Sequence, residues 1–296
     1  MRRKVSKIGP STLMVSLPSK WVRKLGVKKG DELEVQEEGH LLKVQPACYA
    51  AKMAVSLQMT EHTSLRRSLN SLYTSGCDAI EISSDQRLDV VALEKELAQL
   101  LGYEIMEHSA RSCLIKDVAK SSADDFDAVL RRLFLIALNM SEESMTLLRT
   151  CDHDGLKRVA SMEQTTNKFT LFCIRLLHKY GYHTPQKVPM LTNLIHELER
   201  VADIYRDICL HGSTLKRVDD DTLKPYAKAN ELLNNLYSMF YKFDESKAHS
   251  YSKERRALTD DLRKAITQKS GDHLFIHYLI SLLSVFAHLE YLIFYS

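Results

Sequence analysis

Between Ile195 and Asp207 three carboxylates recur at every fourth residue: Glu199, Asp203 and Asp207. On a helix that spacing stacks them along one face. Like charges so placed repel, and a cation offsets the cost. Either an arginine side chain or a bound ion can supply it. Ligands that are all oxygen suit hard or borderline cations such as Mg²⁺, Mn²⁺ or iron. Arg200 and Arg206 stand in the same segment, so an ordinary salt-bridged helix face is the competing reading of the same spacing. His178, His183 and His196 have no partner four residues on and read as surface or core histidines. No Ser-His-Asp or Cys-His arrangement can be singled out, and the chain is expected to be non-enzymatic.

A second group is electrostatic. The first 30 residues hold nine Lys or Arg and no Asp or Glu, whereas the whole chain of 296 residues has a net charge of only +3. The excess is therefore segregated at one end. A compact basic module on a near-neutral chain points to an anionic partner, with nucleic acid as the expected one.

The elements that must hold these groups fall into three segments. With 45% apolar and 27% charged residues the chain has a globular composition, and ten Gly with six Pro favour helices over tight turns. In the first segment Val5 and Ile8, then Leu13, Val15 and Leu17, then Leu33 and Val35, then Leu41, Leu42 and Val44 mark four short strands. Gly9-Pro10, Gly30-Asp31 and Glu38-Gly39-His40 supply the turns. A short helix follows Pro18, with Ser19 as its expected cap and Gly26 as its stop. Four short strands in under about 50 residues cannot bury a sufficient core alone, so this module is expected to pair with a second copy.

Residues 1–47 resemble the swapped-hairpin DNA-binding domain of the AbrB/MazE/SpoVT type. The resemblance rests on Leu17-Pro18-Ser19-Lys20-Trp21, Leu25-Gly26-Val27 and Lys29-Gly30-Asp31-Glu32-Leu33, in that family's order. It implies a small β-barrel completed by two chains, with a basic face on DNA. Carried over, the candidate DNA contacts are Arg2, Arg3, Lys4, Lys7, Ser11 and Thr12, with Arg23 and Lys24 near the helix end. The alternative is a dimerisation module whose charges are only solvated, as in an antitoxin that binds a protein.

Residues 48–118 read as a small α/β middle domain of order βαβαββ, with strands at 54–59, 78–83, 103–108 and 113–118 and helices at 63–75 and 89–101. No glycine-rich phosphate loop is present, so a spacer or dimerising role is expected before that of a ligand sensor. Residues 119–296 carry a helical period. Helices are expected at 122–150, 154–180, 188–212, 220–243, 247–269 and 272–295, as three plus three. Tyr237, Phe240, Tyr241 and Phe243 stand at core-like spacing. Phe275 to Tyr295 is apolar enough to suggest a membrane span, but His277, His288 and Glu290 interrupt it, and a buried bundle helix with no membrane insertion is expected. The N-terminus does not read as a secretory leader. The six cysteines show no CxxC pair and are expected to be reduced, mostly buried thiols of a cytoplasmic protein.

The helical segment, about 120–296, resembles PhoU-type phosphate regulators through Leu198-Glu199-Arg200-Val201-Ala202-Asp203 in the third helix of a three-helix unit. The resemblance implies a six-helix bundle of two three-helix repeats whose E/DxxxD motifs hold metal ions. Glu199 and Asp203 match the motif, and Glu163 with Asn167 falls where the preceding helix contributes. In the second repeat Glu290 matches, but Phe294 stands where an aspartate is expected. The metal candidates are thus Glu199, Asp203, Glu163 and Asp207. The two resemblances together suggest the family of archaeal phosphate-uptake regulators: a homodimeric DNA-binding transcriptional regulator of phosphate uptake whose bundle senses or docks. The alternative is a signalling adaptor docking on a phosphate transporter or kinase, with the N-terminal module used only for dimerisation.

Overall fold

The computed structural model of the chain describes residues 2–38, 41–46, 53–60, 63–119, 121–268 and 271–294. Met1–Lys52 forms one compact unit and Met53–Ser296 another.

In the first unit β1 (Val5–Ile8) and β2 (Thr12–Val15) form an antiparallel hairpin in which Ile8 faces Thr12 across the Gly9–Ser11 loop. Helix α1 (Ser19–Leu25) follows. Its first backbone bond runs from Val22 N–H to the Pro18 carbonyl, so Pro18 is the cap residue. Ser19 is already helical and makes no side-chain capping bond, contrary to the expectation from sequence. Gly26 ends the helix at φ 68°, and the N–H groups of Gly26 and Val27 both return to the Val22 carbonyl. Glycine adopts that left-handed backbone without the penalty a Cβ brings. A turn closed by Lys28 N–H on Asp31 Oδ2 (2.7 Å) leads to β3 (Leu33–Glu38), which pairs with β4 (Leu41–Pro46) in the register Val35↔Val44. Gly39 and His40, the expected turn, lie outside the described residues. Among those described, the two hairpins are separate two-stranded sheets, and no described side chain of this unit is buried.

The second unit begins with β5 (Ala54–Met59), α2 (Leu65–Thr74), β6 (Ala79–Ser84), α3 (Val90–Leu97), β7 (Tyr103–His108) and β8 (Ser112–Asp117), the expected βαβαββ order. The sheet order is β5-β6-β8-β7, with β5 parallel to β6 and β8 antiparallel to both neighbours. Ile80, Ile82, Cys113 and Ile115 alternate onto one face, where they pack with Leu69 and Tyr73 of α2 and Leu93 and Leu97 of α3.

Seven helices follow: α4 (Asp125–Thr150), α5 (His153–Ser161), α6 (Glu163–Tyr180), α7 (Val188–Gly212), α8 (Asp220–Tyr241), α9 (Glu245–Thr267) and α10 (His273–Phe294). The expected single helix 154–180 is divided at Met162, so among the described residues this part has seven helices where six were expected. A tight turn, Met162 N–H to the Val159 carbonyl and Thr165 N–H to the Met162 carbonyl, interrupts the regular ladder there. The break lets α5 pack on α4 and α7 while α6 also reaches α2. Phe275, Leu279, Leu282, Leu283, Phe286 and Leu289 of α10 are fully buried. The helix is long and apolar enough to cross a membrane, and its buried side packs against α7, α8 and α9. Tyr237 and Phe240 join the core, but Tyr241 and Phe243 are half exposed because α8 ends at Tyr241. Cys77, Cys113, Cys173 and Cys209 are buried, and Cys151 partly so. Burial pushes the Cys209 thiol up to about 12.

The α/β layer and the helices meet at a buried arginine. Arg175 of α6 is 1% exposed. It donates to Asp117 Oδ2 at 2.6 Å and to the Tyr73 carbonyl at 2.8 Å. Its guanidinium lies 4.9 Å from the Tyr73 ring and 5.2 Å from that of Tyr103. Lys179, one turn on, donates to Asp78 at 2.5 Å and to Asp117 at 3.3 Å.

Removing one partner of a buried ion pair leaves the other uncompensated. Asp117→Ala is expected to destabilise this unit by about 3 kcal/mol, measured by urea denaturation. Asp154→Ala, which breaks the exposed pair with Lys157, is expected to leave the midpoint unchanged. Equal effects of the two substitutions would refute the weight given to the buried pair.

Candidate functional site

The sequence pointed to two sites, one in each unit. In the first, Arg2, Arg3 and Lys4 lead directly into β1, which carries Lys7. Ser11 and Thr12 lie at the hairpin loop and the start of β2, and Arg23 and Lys24 in the last turn of α1, where the helix dipole favours cations. All eight are exposed. Arg23 Nε donates only to the Ser19 carbonyl at 3.4 Å. Among the described residues, no carboxylate forms an ion pair with any of these cations. The same unit exposes Val5 (64%), Leu13 (68%), Val35 (57%) and Leu42 (66%). Apolar side chains on both hairpins are thus exposed beside the exposed cations.

In the second unit α7 carries Glu199, Asp203 and Asp207, and α6 begins with Glu163. Their common partner is Arg206. Its Nη1 lies 2.7 Å from Asp203 Oδ1 and 3.4 Å from Glu163 Oε1, and its Nε and Nη2 each lie 3.0 Å from Asp207 Oδ1. Glu199 is turned to His196 instead, at 3.5 Å. Asn167 donates to Glu163, and its own Oδ1 is buried without a partner. Burial pushes the Asp203 carboxyl above its ordinary value; Arg206 opposes this, and Glu163, Glu199 and Asp207 add to it. A groove of about 450 Å³ opens beside the row, lined in part by Arg66, Asn70, Lys95, Glu163, Asn167 and Arg206.

These carboxylates do not fit a metal ion in the arrangement the chain adopts. Among the described residues no three His, Cys, Asp or Glu side chains are grouped so as to hold one, and a guanidinium already bridges Glu163, Asp203 and Asp207. In the second half Glu290 accepts from Arg255 Nε at 2.9 Å and from the Ser252 hydroxyl. Sequence reasoning missed the Arg175 junction altogether. Its signal was a lone arginine inside the apolar run Phe172-Cys173-Ile174-Arg175-Leu176-Leu177, at a position where the helical stripe faces inward.

Residues 7–47 match the family described as "Antidote-toxin recognition MazE, bacterial antitoxin". No curated protein matches the chain. Among solved structures, the chain is similar to the crystal structure of the phosphate transport system regulatory protein PhoU from Streptococcus pneumoniae, at 17% identity. The superposition covers 58% of this chain and 93% of that one, with a TM-score of 0.47.

The pairing of His196 with Glu199 has a titration consequence. The hydrogen bond to Glu199 raises the His196 imidazole above 6.5. A raised folded-state value means that this pair contributes stability below the ordinary histidine value and loses it as pH rises through the folded one. NMR titration is expected to give a His196 midpoint above 6.5 in the native chain and a lower one in Glu199→Gln. An unmoved midpoint would break the pairing.

Proposed function

We propose that this chain is a transcriptional regulator that binds DNA as a homodimer through residues 1–47, with the helical part as its sensor or partner-docking portion. The observation that carries the reading is a set of exposed cations that pair with no carboxylate among the described residues: Lys7, Arg23 and Lys24 within the segment 7–47 that matches the MazE family, and Arg2, Arg3 and Lys4 just before it. Phosphate contacts from such a face position a protein on duplex DNA and make its affinity depend steeply on salt. Pairing of two chains is supported by the apolar side chains that both hairpins leave uncovered. Such surface is stabilised by burial at roughly 25 cal/mol per Å². A second copy supplies the complementary cover.

The regulatory setting follows from the residues of α7. Leu198-Glu199-Arg200-Val201-Ala202-Asp203 resembles the motif of phosphate regulators, and on that ground we place the protein in cytoplasmic control of phosphate uptake. Its operators would lie at phosphate-transport genes. No catalytic step enters this reading.

The test is fluorescence anisotropy on DNA upstream of its own gene and of phosphate-transport genes, over a salt series. Arg2→Ala/Arg3→Ala/Lys4→Ala is expected to weaken binding uniformly across sequences. It should also flatten the log–log salt slope by about 0.9 for each phosphate no longer neutralised, or about 5 if all six cations of a dimer touch phosphate. Absent binding at low salt would refute the regulator and favour the adaptor, docked on a transporter or kinase. Val35→Asp/Leu42→Asp is expected to lower both the mass in sedimentation and the DNA affinity. A variant that keeps both would show that this face is not the interface.

A further inference from the structure

The two halves of the bundle treat the carboxylates of their third helices alike. In the first half Arg206 of α7 bridges Asp203 and Asp207 on its own helix to Glu163 at the start of α6. In the second, Arg255 of α9 reaches Glu290 of α10, with the Ser252 hydroxyl also on that carboxylate. Each arginine ties the second helix of its half to the third.

We propose that these guanidinium groups are the bundle's built-in counter-ions, and that Arg206 takes the electrostatic place a divalent cation would otherwise fill, so that the two exclude one another. A planar guanidinium presents five donors in a fixed fork and carries its charge at every pH a protein meets. Three of the nitrogens of Arg206 lie within 3.4 Å of three carboxylates drawn from two helices. A lysine ammonium offers a point charge and no such fork. The two halves differ in what the arginine must balance. Phe294 stands where a second carboxylate would extend the Glu290 row, so Arg255 and Glu290 match one to one. Arg206 instead faces three carboxylates. Without it, Glu163, Asp203, Asp207 and the unpartnered Asn167 Oδ1 would be left as an all-oxygen set, the kind hard divalent cations prefer.

The consequence is asymmetric. The native chain needs no metal at the α6–α7 junction, and removing Arg206 creates a dependence on metal that removing Arg255 does not. The experiment compares the full chain with Arg206→Met, Arg206→Lys and Arg255→Met. Melting temperatures are read in EDTA and in millimolar Mn²⁺, and bound metal is counted by elemental analysis. The native chain is expected to purify without stoichiometric metal and to melt at the same temperature in both buffers. Arg206→Met should melt about 3 °C lower in EDTA and recover part of that loss in Mn²⁺. Arg206→Lys should lie between the two, and Arg255→Met should melt lower with no response to Mn²⁺. Native protein that loses stability on chelation, or Arg206→Met that ignores Mn²⁺, overturns the proposal. If Arg206→Met folds only when Mn²⁺ is present, the proposal stands. If it folds in neither buffer, the chelation of the native chain and the intermediate position of Arg206→Lys decide.

Discussion

A guanidinium withdrawn from water must recover its hydration from the protein, and the geometry that allows this is narrow. Arg175 recovers it from three places at once. Asp117 comes from β8, the Tyr73 carbonyl from the end of α2, and the aromatic faces from Tyr73 and Tyr103. Because Arg175 itself rises from α6, the sheet, α2 and α6 can satisfy it in only one mutual packing. Lys179 repeats the demand one turn on, with Asp78 and Asp117. Leu171 and Phe172 of α6 enter the core of the α/β layer beside them. This is why residues 53–296 behave as a single unit, and why α2 and α3 form one wall of the groove that borders Glu163 and Arg206.

The N-terminal unit obeys a different constraint. No described side chain in it is buried, and among the described residues no carboxylate pairs with the cations of its basic face. On the proposed reading both features look outward: the apolar side chains toward another copy of the chain, the charges toward an anion. Local chemistry is settled all the same. Pro18 sets the entry to α1 and Gly26 its exit, so Arg23 and Lys24 fall in the last turn, where a helix favours positive charge.

Within the bundle, polar groups join the halves as firmly as the apolar core does. Asn230 of α8 donates to the Ser141 carbonyl of α4 and accepts from the Tyr205 hydroxyl of α7, and the hydroxyls of Tyr226 and Ser144 meet at 2.6 Å. Buried groups of this kind fix register, because an alternative packing would leave them unpaired. Arg206 and Arg255 then act at the rim, each closing the second helix of its half onto the third.

Much of this was legible from residue order alone. Period-two alternation located the strands of both units, Gly26 marked the end of α1, and the run without acids from Arg2 to Gly30 isolated the basic module. Those signals are local: each depends on neighbours within a turn or a pleat. The division at Met162, the placing of β8 between β6 and β7, and the partner of the acidic row were not legible. A carboxylate every fourth residue looks the same whether a metal ion or an arginine answers it. Glu163 and Arg206 are far apart in the chain and become partners only where α6 packs on α7. The lone arginine in the apolar stripe of α6 likewise acquires a meaning only from a sheet nearly sixty residues earlier. Sequence determined which groups need compensation, since that follows from charge and periodicity along one chain. Tertiary structure decided what compensates them, since a buried or crowded charge is satisfied only by whatever the packing brings within reach.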